Sequence, residues 1–284
     1  MDVVTTRASL SAVVAGWRRA GLRVGLVPTM GSLHQGHLTL VDRAKQVADR
    51  VVATVFVNPL QFGPEEDLVR YPRELDRDRD LLAARGAELL YAPEVGEMYP
   101  VPPMIRLDPG PLAGRLEGAV RPGHFAGVLT VVAKLFHQVG PDVACFGQKD
   151  IQQATLIRQM VADLDWPIEV VVVPTVRDPE GLALSSRNGF LSPPERRQAL
   201  VLSRTLRAVD QAWRSGLLSG AQLLDHAREV LASEPAVRPD YTAIVDPDRL
   251  EPMETVGVGA IVAVAARVGA TRLIDNTILG QPAP

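Results

Sequence analysis

Two histidines three residues apart, His34 and His37, close the stretch Thr29-Met30-Gly31-Ser32-Leu33-His34-Gln35-Gly36-His37. Imidazoles and glycines at this spacing suit an anion, because ring N–H groups donate to it and glycine lets the backbone approach closely. The apolar run Arg23–Val27 before them reads as a buried strand. After them, Leu38, Val41, Ala44 and Val47 recur as on an amphipathic helix. The motif therefore falls on a strand-to-helix turn, at the carboxyl end of a strand, where α/β sheets bind ligands. The first amides of such a helix lack intrahelical partners and carry the positive dipole end, so a phosphate is the expected guest. A metal pair or two satisfied surface histidines is the bland alternative; zinc would need a third ligand, and no convincing Cys/His/Glu cluster lies nearby in sequence.

Three further groups could share that chemistry. In Gly147-Gln148-Lys149-Asp150, Lys149 is a point charge for phosphate and Asp150 an acceptor for ribose hydroxyls, although a helix-capping Asp beside a lysine reads the same way. Ser185-Ser186-Arg187-Asn188 offers two hydroxyls and a guanidinium fork for polyphosphate oxygens, but Ser-Ser-Arg also occurs in many ordinary turns. Asn58, Gln61 and Gln153 are neutral amides at strand or helix ends, able to bind a carboxylate and hydroxyls without adding charge, or equally to serve as buried structural groups.

The elements that must position these residues alternate. Strands are expected at Arg23–Val27, Arg50–Val57, Ala87–Tyr91, Asp142–Phe146 and Ile168–Val173. Helices are expected at 7–20, after His37, and at Arg73–Arg85, Ala126–Val139 and Ile151–Asp163. That order implies an α/β, Rossmann-like parallel sheet with helices on both faces. Proline-rich Tyr99–Pro111 reads as edge strand and loop. Beyond a turn at Asp178–Gly181, helices at Pro194–Ser215 and Ala221–Ser233 precede β-like runs at Tyr241–Val245, Ala260–Val268 and Thr271–Asp275. Two domains are expected, a larger one over residues 1–175 and a small α+β one over 176–284.

Composition narrows the class. The 284 residues carry a formal charge of −3, which gives no reason to expect nucleic acid as the partner. Cys145 is the one cysteine, so no intrachain disulfide forms. No leader pattern is evident and no apolar run reaches the ~20 residues that span a bilayer, so a cytoplasmic protein with no membrane partner is expected. Arginine outnumbers lysine 27 to 3, which gives a lysine in a special loop more weight.

The motifs also occur in a recognisable order. Pro28-Thr29-Met30-Gly31-x-Leu33-His34-x-Gly36-His37, Phe56-Val57-Asn58-Pro59-x-Gln61-Phe62 and Tyr71-Pro72-Arg73 come first. Arg121-Pro122-x-His124-Phe125, Phe146-Gly147-Gln148-Lys149-Asp150-x-Gln152-Gln153 and Gly181-Leu182-Ala183-Leu184-Ser185-Ser186-Arg187-Asn188 follow. Together they resemble the pantothenate synthetase (pantoate–β-alanine ligase) family of the nucleotidyl-transferase superfamily. The resemblance implies a dimer with a C-terminal lid domain. It also implies that ATP, entering with Mg²⁺ as a substrate rather than a bound cofactor, and pantoate form pantoyl adenylate, from which β-alanine displaces AMP. It assigns Met30, Gly31, Ser32, Leu33, His34, Gln35, Gly36 and His37 to ATP, with His37 as the proton donor and His34 and Lys149 as further catalytic groups. Gly147, Gln148, Lys149 and Asp150, the backbone of Val176, and Leu184, Ser185, Ser186 and Arg187 are likewise implied for ATP. Gln61 and Gln153 match the pantoate amides, Gln61 also adjoining β-alanine, and Asn58 supports the substrate side. Asp78 falls where an acidic residue lies close to magnesium. Gln148 stands in place of the family's usual glutamate and Leu184 in place of its usual methionine. Rival readings are another nucleotidylyltransferase with the same two-histidine turn, or a non-catalytic nucleotide sensor.

Overall fold

The computed structural model describes residues 1–64 and 68–282. They form two compact units: Met1–Gly147 with Leu156–Val173, and Gln148–Thr155 with Pro174–Pro284.

The first unit is built on a six-stranded parallel sheet, with β1 (Asp2–Val4), β2 (Val24–Thr29), β3 (Arg50–Val55), β4 (Leu89–Tyr91), β5 (Val143–Gly147) and β6 (Glu169–Val173) in the order β1-β4-β3-β2-β5-β6. Helices α1 (Arg7–Arg19), α2 (Gln35–Val47), α3 (Leu75–Ala84), α4 (Val95–Met98), α5 (Leu116–Val120), α6 (His124–Val139) and α7 (Ile151–Asp163) connect the strands. Val24, Leu26, Val51, Val52, Leu89 and Val143 have no exposed surface, as expected of parallel strands covered on both faces. Chain order reverses at β2, which pairs with β3 on one side and β5 on the other. Such a switch point opens a crevice at the carboxyl ends of the strands, and the two-histidine turn follows β2 directly.

In the second unit, β7 (Val237–Val245), β8 (Ile261–Val268) and β9 (Thr271–Ile278) make an antiparallel sheet in that order. Helices α8 (Pro193–Arg214) and α9 (Gly220–Ala232) share a core with it, in which Leu202, Leu206 and Leu223 meet Val262, Val264 and Ala266.

The expected elements recur, and the short β1, α4 and α5 are added to them. Tyr99–Pro111 contains no strand; its prolines remove the amide donors a ladder needs, and the segment leads into a 3₁₀ turn at Gly110–Gly114. The sheet edge is instead β1, three residues that are too short to leave a period-2 pattern. β7 begins at Val237, earlier than Tyr241, because Pro239 lies on an edge strand beside a register shift, where its missing amide costs no ladder bond. No helix among the described residues is long and apolar enough to cross a membrane.

Candidate functional site

After Thr29 the chain passes through two left-handed residues, Gly31 at φ 85° and Ser32 at φ 52°. Asp78 of α3 holds this turn. Its side chain is fully buried, and its two oxygens accept the Leu33 and Ser32 amides at 2.8 Å each. A Cβ at Gly31 would approach Asp78 Oδ2 to 2.9 Å, so glycine is required by space as well as by φ. Burial raises the Asp78 pKa above its ordinary 3.8, outweighing the two amide bonds that pull it down. The carboxylate expected near magnesium is thus turned into the loop with both oxygens engaged. The described residues contain no group of three His, Cys, Asp or Glu side chains that could hold a metal ion.

His34 is the N-cap of α2 and His37 its third residue, and the two close a reciprocal capping box. Gly36 N–H donates to His34 Nδ1 at 3.2 Å, and His34 N–H donates to His37 Nδ1 at 3.3 Å. The ring centroids lie 4.0 Å apart. An Nδ1 that accepts carries no proton, so each neutral ring has its proton on Nε2, which becomes a donor. Gly31 N–H donates to Thr29 Oγ1 at 3.2 Å. The amides of Gly31, Ser32, Leu33, His34 and Gly36 therefore shape the turn. What the turn offers an anion is imidazole N–H on the positive end of a helix.

Asn58 caps a 3₁₀ turn, Pro59–Gln61, after β3, Gln61 is the last residue of that turn, and both are buried. Asn58 Nδ2 donates to Gln61 Oε1 at 3.0 Å and Gly127 O at 3.1 Å; its Oδ1 accepts from Leu60 N–H and from the Tyr99 hydroxyl. Its hydrogen-bonding capacity thus goes to orienting its neighbour. With Oε1 held by Asn58, Gln61 presents its Nε2 donor end, 3.0 Å from Met30 Sδ in the histidine turn. Behind it, the Arg121 guanidinium donates to His124 Nε2 at 3.0 Å, which puts the His124 proton on Nδ1, where it donates to Gln61 O at 2.8 Å. Arg121 and His124 were visible in an ordered motif but had no role assigned; Tyr99, 41 residues from Asn58, had no signal.

In the second unit, Gln148–Asp150 form a 3₁₀ turn leading into α7. Lys149 is half-buried with Nζ 3.7 Å from Asp150 Oδ1, Gln148 is buried, and Gln153 is half-buried on the first turn of α7. Gln148 Nε2 donates to Asn276 Oδ1 at 3.3 Å, which accounts for the neutral amide at this position. Val176 O accepts Leu184 N–H at 2.9 Å, and Arg177 bridges Ala183, so a small hairpin presents the Leu184–Arg187 stretch. Ser185 caps the turn that follows, its Oγ accepting Arg187 N–H at 3.3 Å. The first unit thus gathers Met30–His37, Asn58, Gln61 and Asp78, and the second gathers Gln148–Asp150, Gln153, Val176 and Leu184–Arg187.

Comparison with known proteins identifies the family of the chain. The family model described as pantoate-beta-alanine ligase matches residues 2–278. A pantothenate synthetase of Acidobacterium capsulatum is 55% identical over 91% of this chain and 86% of its own, and one of a Roseiflexus species 52% identical over 98% and 99%. Among solved structures, pantothenate synthetase from Thermus thermophilus superposes with a TM-score of 0.92 at 52% identity, covering 98% of this chain and 99% of that one. A pantoate-beta-alanine ligase from Francisella tularensis, complexed with beta-gamma ATP and beta-alanine, gives 0.82 at 32% identity over the full length of both chains. The chain is a member of the pantoate-beta-alanine ligase family.

Proposed function

We propose that this protein joins pantoate to β-alanine at the expense of ATP, through a pantoyl adenylate. A pantoate carboxylate oxygen attacks the α-phosphorus of ATP, and the bond to pyrophosphate breaks. The β-alanine amine then attacks the acyl carbon, AMP leaves with the former carboxylate oxygen, and the amine loses a proton. Two anions meet in the first step, so the residues that act there are cationic or neutral donors. Lys149 and Arg187 offset charge on the phosphates, His34 and His37 donate Nε2–H to oxygens that gain charge, and His37 is the proton donor. Gln61 and Gln153 hold pantoate without adding to the repulsion, Gln61 also adjoins β-alanine, and Asn58 aims Gln61. Gly147–Asp150, Val176 and Leu184–Arg187 bind the rest of the nucleotide. Magnesium enters with the ATP phosphates as part of the substrate, and Asp78 serves the loop. No enzyme nucleophile is required, because the acyl adenylate is itself the activated species.

The observation that carries this reading is the two-histidine turn, in which backbone amides engage both Nδ1 atoms and so make both Nε2 atoms donors. Residues 1–175 act as the ATP- and pantoate-binding domain and 176–284 as the lid domain, in a cytoplasmic homodimer. The test is product analysis: with ATP, pantoate and β-alanine the protein is expected to release AMP and pyrophosphate one for one with pantothenate. ADP and phosphate in place of AMP and pyrophosphate would contradict it.

A further inference from the structure

β9 carries two adjacent buried polar residues, Asp275 and Asn276, that reach both nucleotide-assigned segments of the second unit. Asp275 takes the Arg177 guanidinium on both its oxygens, at 2.6 and 2.9 Å, and Arg177 in turn donates to Gly181 O at 3.1 Å. That pair fixes the hairpin from which Leu184–Arg187 emerges. Asn276 is 2% exposed, and its Nδ2 donates to two successive carbonyls, Gln148 O and Lys149 O, both at 2.9 Å. Its Oδ1 accepts from Gln148 Nε2. A planar amide with both hydrogens on consecutive backbone oxygens fixes the path of that backbone, and with it the direction in which the Lys149 side chain leaves.

We propose that Asn276 is a positioning residue for Lys149. It touches no substrate; it acts by holding the Gln148–Lys149 backbone where the ammonium meets developing phosphate charge. The inference rests on the reading of Lys149 given above. Asparagine suits the task because a carboxylate would set two acceptors against two carbonyl oxygens, and a smaller side chain would reach neither carbonyl.

A double-mutant cycle on pantoate-dependent ATP–pyrophosphate exchange tests this. Asn276→Ala is expected to lower kcat/KM for ATP about 10-fold in the wild-type background, the scale of a modest misplacement of a catalytic group. In a Lys149→Ala background the same change is expected to cost less than about 2-fold, because its route of action is gone. Equal losses in both backgrounds would overturn the positioning role and leave the proposed reaction standing, since wild-type exchange reports on the reaction by itself. Asn276→Asp, nearly isosteric but without the donor, repeats the cycle if the alanine variant does not fold, with the same expected and contrary outcomes.

Discussion

His37 gives one ring nitrogen to the backbone of its own turn and, in the proposed mechanism, the other to chemistry, so a single substitution can disturb both. Asparagine separates them, because its Oδ1 can replace Nδ1 as the cap acceptor while nothing replaces the Nε2 donor. His37→Asn is expected to keep a melting temperature within a few degrees of wild type. Adenylate formation should still fall at least ~100-fold, the scale of one lost transition-state donor. Wild-type-like single-turnover rates would remove His37 from the mechanism. Gln153→Ala should raise the pantoate KM with little change for ATP, and steady-state kinetics showing equal rises for both would mean the amide faces something else. Asp78 makes a different prediction. Its folded-state pKa is raised by burial, so the folded protein holds that proton more tightly than the unfolded chain. Its contribution to stability is fully present below 3.8 and is lost as pH rises through the folded pKa. Asp78→Asn has no such slope, so the stability gap between wild type and variant should narrow as pH rises through that window. Denaturant melts at several acid pH values check this, and a gap that widens would contradict the assigned direction.

At the scale of elements, Gly127 is where α6 meets the Pro59–Gln61 turn: a Cβ there would lie 2.1 Å from Leu60 O. Gly127→Ala must push that turn away, and with it Asn58 and Gln61. A loss of about 1–3 kcal/mol in denaturant melts is expected, together with a raised pantoate KM; full stability with unchanged KM would refute the coupling. The sequence made the principal strands, the helices and the turns at their ends legible, because continuous apolar runs and helical periods are local signals. β1 escaped because three residues carry no period, and the proline-rich stretch was given a strand its missing amides forbid. The site was legible as motifs and opaque as geometry. Nothing near Lys149 pointed to Asn276, 127 residues further on. Nothing in the histidine motif said that its amides would be taken by Asp78, Thr29 and the histidines themselves.

At the scale of the molecule, the family assignment rests on similarity along the whole chain as well as on the ordered motifs. Other nucleotidylyltransferases share a two-histidine turn, but would have no need of the Asn58–Gln61 amide pair or of Gln153. The reading therefore turns on whether pantoate is the group adenylylated. The first unit carries His34, His37, Asn58 and Gln61, and the second carries Gln153 together with Lys149 and Arg187. The most direct measurement is a rapid-quench single turnover with MgATP and pantoate in the absence of β-alanine, analysed by mass spectrometry. The account predicts enzyme-bound pantoyl adenylate with one pyrophosphate released per site, and its decay to pantothenate and AMP when β-alanine is added. Pyrophosphate release that does not depend on pantoate, or pantothenate formed with no adenylate at any time, would contradict it.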